Sequence, residues 1–322
     1  MAEDSKIQWT THTMTPWRGC TKVSAGCANC YAETMSGRNP KVLGVWGPNG
    51  RRVVAAEPTW REPVKWNRLA GEGKLPDGSP NVDGHRPRVF CSSLADVFEG
   101  PETMPAEAWP RVREARVRLH HLINDTPHLD WLLLTKRPEN VVRFAEGPER
   151  SWTENMPPNV WLGASVENQA AADERIPHLL RVPAAVRFLS CEPLLGSVDL
   201  TEHLPHVRCV RCGWSNATDP NGTGRCPNRC GPLQKANPGR IDWCIVGGES
   251  GGGARPMNVE WARALVAQCR AAGVKVFVKQ MGSNPQFQTP DMHGPQLLTL
   301  RDRKGGEVDE FPEDLRVREF PR

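Results

Sequence analysis

The chain has 322 residues, enough for a sizeable core, and carries 41 Lys and Arg against 37 Asp and Glu for a net charge of +4. That mild basic excess admits an anionic partner but excludes a histone-like polycation, and no apolar run approaches membrane-spanning length. Eleven cysteines behind an N-terminus without a signal-peptide core point to a cytoplasmic protein whose thiols bind metal or fill the core.

The first feature in chain order is Thr15-Pro-Trp-Arg-Gly-Cys20 followed by Gly26-Cys27-Ala-Asn-Cys30-Tyr-Ala32, three cysteines within eleven residues. A four-iron four-sulfur cluster held by three thiolates, Cys20, Cys27 and Cys30, keeps one iron free of protein ligands and open to a substrate or cofactor. Gly19 and Gly26 allow the backbone to wrap closely around such a bulky group. A single zinc with His12 as fourth ligand is the alternative, but nothing in the spacing of His12 demands ligation.

Residues 38–86 are rich in Gly, Pro and Arg with Trp46, Trp60 and Trp66 among them, and read as a partly irregular insertion serving as a lid or substrate platform. Six nearly continuous apolar runs follow, at residues 88–93, 131–136, 159–165, 186–191, 241–246 and 275–280. Such runs fit strands covered on both faces, as in a parallel sheet. Helices are expected over 108–124, despite Pro110 at its start, over 168–181, and between Pro256 and Gly273 with Asn258 as N-cap and Trp261, Leu265, Val266 and Cys269 on one face. The alternation predicts one α/β domain, barrel-like or doubly wound, across 1–322.

In a parallel barrel the C-terminal strand ends share one face, so their polar residues converge on one pocket. Those residues are Ser92, Ser93 and Asp96, then Thr135, Lys136 and Arg137, then Ser165, Glu167 and Asn168, then Glu192, the run Gly247-Gly248-Glu249-Ser250, and finally Lys279 and Gln280. The glycine-rich stretch 247–253 is by itself a generic nucleotide turn, and Glu249 is either a ligand contact or a helix cap.

A second cysteine group, Cys209, Cys212, Cys226 and Cys230, forms two short hooks thirteen residues apart, within an inserted zinc-ribbon-like module at 205–232. Four thiolates fill the coordination of zinc, making this site structural; a second iron–sulfur cluster is the alternative. Cys91, Cys191, Cys244 and Cys269 sit in apolar contexts as core residues. The polar segment 282–322 reads as an extension that wraps the core or is partly mobile. Arg111, Arg113, Arg116 and Arg118, with the ribbon and exposed tryptophans, hint at nucleic acid, though a solvated helix face and core rings explain them as well.

The first cysteine motif resembles the cluster loop of radical S-adenosylmethionine enzymes of the spore photoproduct lyase type, and Ser92-Ser-Leu-Ala-Asp96 and Leu133-Leu-Thr-Lys136 resemble strand ends of that group. It departs from them in a six-residue gap after Cys20, where three is usual, and in Asn29, where an aromatic residue is usual. From residue 7 to 281 the chain also resembles an uncharacterised, frequently phage-encoded three-cysteine family, through residues 131–140, 159–168, 188–195 and 246–251.

The resemblance implies a partial (β/α)6 barrel with its first strand within residues 7–16. It also implies a cluster on the three cysteines, S-adenosyl-L-methionine chelating the open iron, and a 5′-deoxyadenosyl radical. An electron donor such as flavodoxin or ferredoxin would be a partner, and Ser92, Ser93, Asp96, Lys136, Ser165, Glu167, Glu192, Gly247, Gly248, Glu249 and Ser250 would surround the cofactor. A lyase or modifying reaction on a nucleic-acid base is the expected activity. The competing expectations are a non-catalytic zinc protein that binds nucleic acid, and a barrel that holds the cluster without cleaving the cofactor.

Overall fold

Short β-branched and leucine-rich runs make parallel strands here because both of their faces are covered. The computed structural model describes all residues save 1–4, 6, 145–150, 155, 217–222, 237–239, 288–293 and 322. Where the sequence reading expects one domain, the chain divides into two compact units, residues 1–164 with 181–185, and residues 165–180 with 186–322.

The first unit carries β1 (His12–Thr13), β2 (Arg88–Cys91), β3 (Asp130–Thr135) and β4 (Val160–Ser165, whose last residue falls in the second unit), paired in parallel in that order. The register sets His12 against Val89, Val89 against Trp131 and Trp131 against Val160. Val89, Leu132, Leu133 and Leu162 are fully buried. The second unit carries β5 (Val186–Cys191), β6 (Trp243–Gly247) and β7 (Lys275–Gln280), again parallel and in sequence order. Neither unit reverses its strand order, which favours barrel-type winding over a doubly wound sheet.

Helices lie between successive strands: α1 (Tyr31–Arg38) and α2 (Glu57–Gly71) between β1 and β2, and α3 (Trp109–Asn124) between β2 and β3. Residues 38–86 therefore contain a 15-residue crossover helix, and Trp60 and Trp66 are core residues rather than a platform. Pro110 sits in the first turn of α3, where its missing N–H has no helical partner to lose. Next come α4 (Pro138–Arg143), α5 (Gln169–Leu180) and α6 (Val259–Ala271).

The last of these follows its sequence signals closely. Asn258 accepts a hydrogen bond from the Glu260 N–H at 3.1 Å, Leu265, Val266 and Cys269 are buried, and Gly273 turns the chain at φ +72°. Trp261 is only half-buried, and Val259 and Ala262 complete the apolar face instead. Asn258→Ala should lower stability by about 1 kcal/mol, read from the urea midpoint; an unchanged midpoint would show that the cap is redundant.

The tail is fastened where it is described. Val278 N–H donates to Val317 at 2.8 Å, Glu319 N–H donates to Val276 at 2.8 Å, and Phe311, Leu315 and Val317 are buried. Residues 288–293 of the expected extension, and 217–222 of the expected zinc module, lie outside the described residues.

Candidate metal centres and the strand-end residues

The three-cysteine loop leaves the end of β1 and is tied to the segment that follows β2. Gly19 N–H donates to the Leu94 carbonyl at 3.1 Å, and the Tyr31 hydroxyl donates to the Ser93 carbonyl at 2.7 Å. Gly19 adopts φ +103°, and a Cβ there would lie 2.9 Å from the Arg51 carbonyl, so glycine is required. Trp17 and Arg18 pair antiparallel with Val54 and Val53, which fastens the loop to the start of the β1–β2 crossover. Cys27 ends a short 3₁₀ turn, Cys30 precedes α1, and all three thiols are half-buried.

Arg137, directly after β3 and Lys136, holds the loop by its first cysteine. Its guanidinium donates to Cys20 Sγ at 3.8 Å, to the Thr21 carbonyl at 2.6 Å and to Asp96 Oδ2 at 3.0 Å, and Glu99 Oε1 lies 3.9 Å away. Asp96 also accepts from Thr135 Oγ1 at 2.7 Å, Lys136 N–H at 3.0 Å and Phe98 N–H at 3.0 Å. Burial disfavours the Asp96 carboxylate, but the Arg137 charge and these bonds outweigh it and hold its pKa below the ordinary carboxylate value. Burial likewise works against the Arg137 charge, and Asp96, Cys20 and Glu99 more than restore it. The Cys20 thiol is pushed up to about 12 by burial, with Glu99 and Asp96 adding to the rise and Arg137 opposing it.

The structure thus brings Cys20 together with Ser93, Asp96, Lys136 and Arg137 in one unit. Asp96 commits its oxygens to neighbouring protein groups and acts as a brace. Ser92 is different, because its buried hydroxyl has no hydrogen-bond partner among the described residues. His12 is fully buried and stacks on Trp66 with centroids 4.1 Å apart, an ordinary core placement.

In the second unit the remaining strand-end residues have internal partners. Glu167 pairs with Arg175 at 2.8 Å, both buried, and Arg175 also donates to the Ser165 carbonyl. Glu192 pairs with Lys279 at 2.8 Å, and Glu249 accepts from Arg255 Nη2 at 2.6 Å, Nε at 3.0 Å and its backbone N–H at 2.9 Å. Gly247 and Gly248 serve close packing, since Cβ atoms there would meet Glu192 Oε1 at 2.7 Å and the Met281 carbonyl at 2.3 Å. Ser250 is exposed.

The four-cysteine group forms a compact set. Residues 206–209 pair antiparallel with 233–236 and 215–216, and each hook is closed by its own backbone bonds: Gly213 N–H to Cys209, and Cys226 N–H to Gly231, both at 2.9 Å. The sulfurs of Cys209 and Cys230 lie 3.3 Å apart, those of Cys212 and Cys226 3.6 Å, and those of Cys226 and Cys230 3.5 Å, with all four within 4.8 Å of one another. Four sulfurs about 2.3 Å from one ion would be about 3.8 Å apart, whereas a cubane places each thiolate on a different iron and spreads them farther. The set therefore suits one metal ion. Bonds from Trp214 N–H, Cys230 and Asn228 lower Cys212 and backbone bonds lower Cys209, while burial raises Cys226 and bonds to the other thiols raise Cys230, so without an ion the four thiols share their protons unequally.

Among the described residues this is the one group of three or more ligand side chains packed so tightly, so Cys20, Cys27 and Cys30 are spread more widely than a single-ion set. The glycine-flanked loop, the guanidinium on Cys20 and the buried Ser92 hydroxyl are features that a multinuclear cluster with a further ligand beside it could use.

Two of the four arginines on α3 are committed to protein partners. Arg116 is fully buried, donates to the Val97 and Glu99 carbonyls at 2.7 Å, and lies over Trp109 and Phe144, while Arg118 makes a fork with Glu57 at 2.6 and 2.9 Å. No tryptophan is exposed; Trp46, Trp109, Trp214 and Trp261 are half-buried and the other eight are buried. Glu99, Arg52 and Thr21, which complete the brace behind Cys20, carry no motif in the sequence. The usable signal was adjacency, with Glu99 three residues past Asp96 and Thr21 next to Cys20.

Among the described residues no helix is long and apolar enough to cross a membrane. No curated protein and no solved structure matches the chain. A family profile described as "Protein of unknown function (DUF5131)" matches residues 4–312, and the chain belongs to that family.

Proposed function

We propose that this protein is a radical S-adenosylmethionine enzyme, with a four-iron four-sulfur cluster on Cys20, Cys27 and Cys30 and a structural zinc on Cys209, Cys212, Cys226 and Cys230. The observation that carries this reading is the attachment of a three-cysteine loop, by Arg137 and Tyr31, to the C-terminal ends of parallel strands. When bound, cluster and cofactor together supply one-electron cleavage of the sulfonium to a 5′-deoxyadenosyl radical that abstracts a substrate hydrogen.

The chain's own residues hold and shield. Arg137 and Asp96 keep the first thiolate at the strand ends, Gly19 lets the loop approach, and the Ser92 hydroxyl offers a buried hydrogen bond to the bound cofactor. A partial (β/α)6 barrel is the matching architecture, and cytoplasmic residence suits an oxygen-sensitive cluster and a flavodoxin or ferredoxin donor. A nucleic-acid base remains the proposed substrate class on the resemblance alone, since Arg116 and Arg118 of α3 are engaged within the protein.

Protein purified without oxygen should be brown, with about four irons and one zinc per chain, and should form 5′-deoxyadenosine with dithionite and S-adenosylmethionine. A colourless protein with two zincs, unchanged by iron and sulfide reconstitution, would instead establish the non-catalytic zinc protein. Iron without 5′-deoxyadenosine would mark a cluster protein that does not cleave the cofactor.

A further inference from the structure

We infer that Arg137 is a positioning and tuning residue for the cluster, donating an N–H···S bond to the Cys20 thiolate and raising the reduction potential. The inference rests on the cluster reading above. Buried arginines commonly serve one carboxylate, but this side chain divides its donors among a thiol, a backbone carbonyl and a carboxylate. The contacts are 3.8 Å to Cys20 Sγ, 2.6 Å to the Thr21 carbonyl and 3.0 Å to Asp96 Oδ2. Nη1 donates to Cys20 and Asp96 while Nη2 donates to Thr21, so two nitrogens of the rigid planar fork share the three acceptors.

Two consequences follow from that placement. Reduction adds negative charge to a cluster, and both a hydrogen bond to a ligating sulfur and a nearby fixed cation stabilise the added electron. Asp96 and Glu99 partly neutralise the cation, so the hydrogen bond and the residual charge act together rather than as a bare +1. The bond to the Thr21 carbonyl also fixes the loop immediately after the ligand, so that Cys20 keeps one orientation across oxidation states.

The test is a redox titration of the reconstituted protein, followed by the electron paramagnetic resonance of the reduced cluster, for wild type, Arg137→Met and Arg137→Lys. Arg137→Met should make reduction about tenfold less favourable, a negative shift of about 59 mV for a one-electron couple. Arg137→Lys, which retains charge without the fork, should fall between the two. A merely structural role predicts the opposite sign, because loosening the loop admits water, and water stabilises the more charged reduced state. If Arg137→Met does not retain four irons, the lysine variant alone decides the sign. A four-iron wild type whose potential is unmoved, or raised, in the variants overturns this inference and leaves the cluster intact. A wild type without iron overturns the cluster reading, and this inference with it.

Discussion

Cys27→Ser and Cys30→Ser should each remove the brown colour, reduce bound iron from about four to near zero, and abolish 5′-deoxyadenosine formation, while zinc stays at one per chain. Both thiols are half-buried on a turn and at a helix start, and the described contact of the Cys27 sulfur is a 3.9 Å approach to Ser24 Oγ. Stability should change by no more than about 0.5 kcal/mol, as for surface substitutions away from packed features. Iron binding should fall by more than the 10–100-fold typical of losing a partner behind the ligands, because a ligand itself is lost. Metal content and urea midpoints measured on the same samples separate the two effects. Loss of zinc in place of iron would assign the loop to a second zinc, and retention of full iron in either variant would remove that cysteine from the ligand set.

The six long strands were legible because each is a nearly uninterrupted apolar run, and a parallel strand buried on both faces needs little else. The observed bounds differ from the expected ones by at most two residues at an end, for example Trp243–Gly247 against 241–246. The first strand was not legible by pattern, since His12–Thr13 is too short to show a period, and only the family resemblance placed it. The helix Glu57–Gly71 was hidden by Pro58 at its start and Pro63 inside it, residues that mark irregular chain in a sequence and here sit in a helix packed through Trp60 and Trp66.

Site residues divide in the same way. Cysteines declare themselves through spacing, because thiolate ligation demands it. Strand-end carboxylates do not, because no fixed spacing marks their partners: Asp96 meets Arg137 across 41 residues, whereas Glu249 and Glu167 serve Arg255 and Arg175, only 6 and 8 residues on. The polar ends of strands thus mark a face but do not reveal which groups are free to meet a ligand.

The largest effect on folding should come from the ion pair behind the loop. Arg52 and Glu99 have fully buried side chains, joined by two bonds of 2.8 and 2.7 Å. Arg52 also donates to the carbonyls of Val45, Gly47, Gly50 and Thr103 and to Thr21 Oγ1, so one guanidinium satisfies four backbone acceptors and braces the residue next to Cys20. Removing one partner of a buried pair leaves an uncompensated charge, and Glu99→Ala should cost about 3–5 kcal/mol. Arg52→Met should cost at least as much, since it strands Glu99 and also takes that donor from the Val45 and Gly50 carbonyls, whereas those of Gly47 and Thr103 keep bonds from Gly50 N–H and Thr21 Oγ1. Because the two losses share one interaction, the double variant should be little worse than Arg52→Met alone, a large coupling in a double-mutant cycle read from urea unfolding. Strict additivity would mean that the pair is not one energetic unit. Iron loading should fall in Arg52→Met, because Thr21 Oγ1 then loses one of its bonds and the loop beside Cys20 is held less firmly.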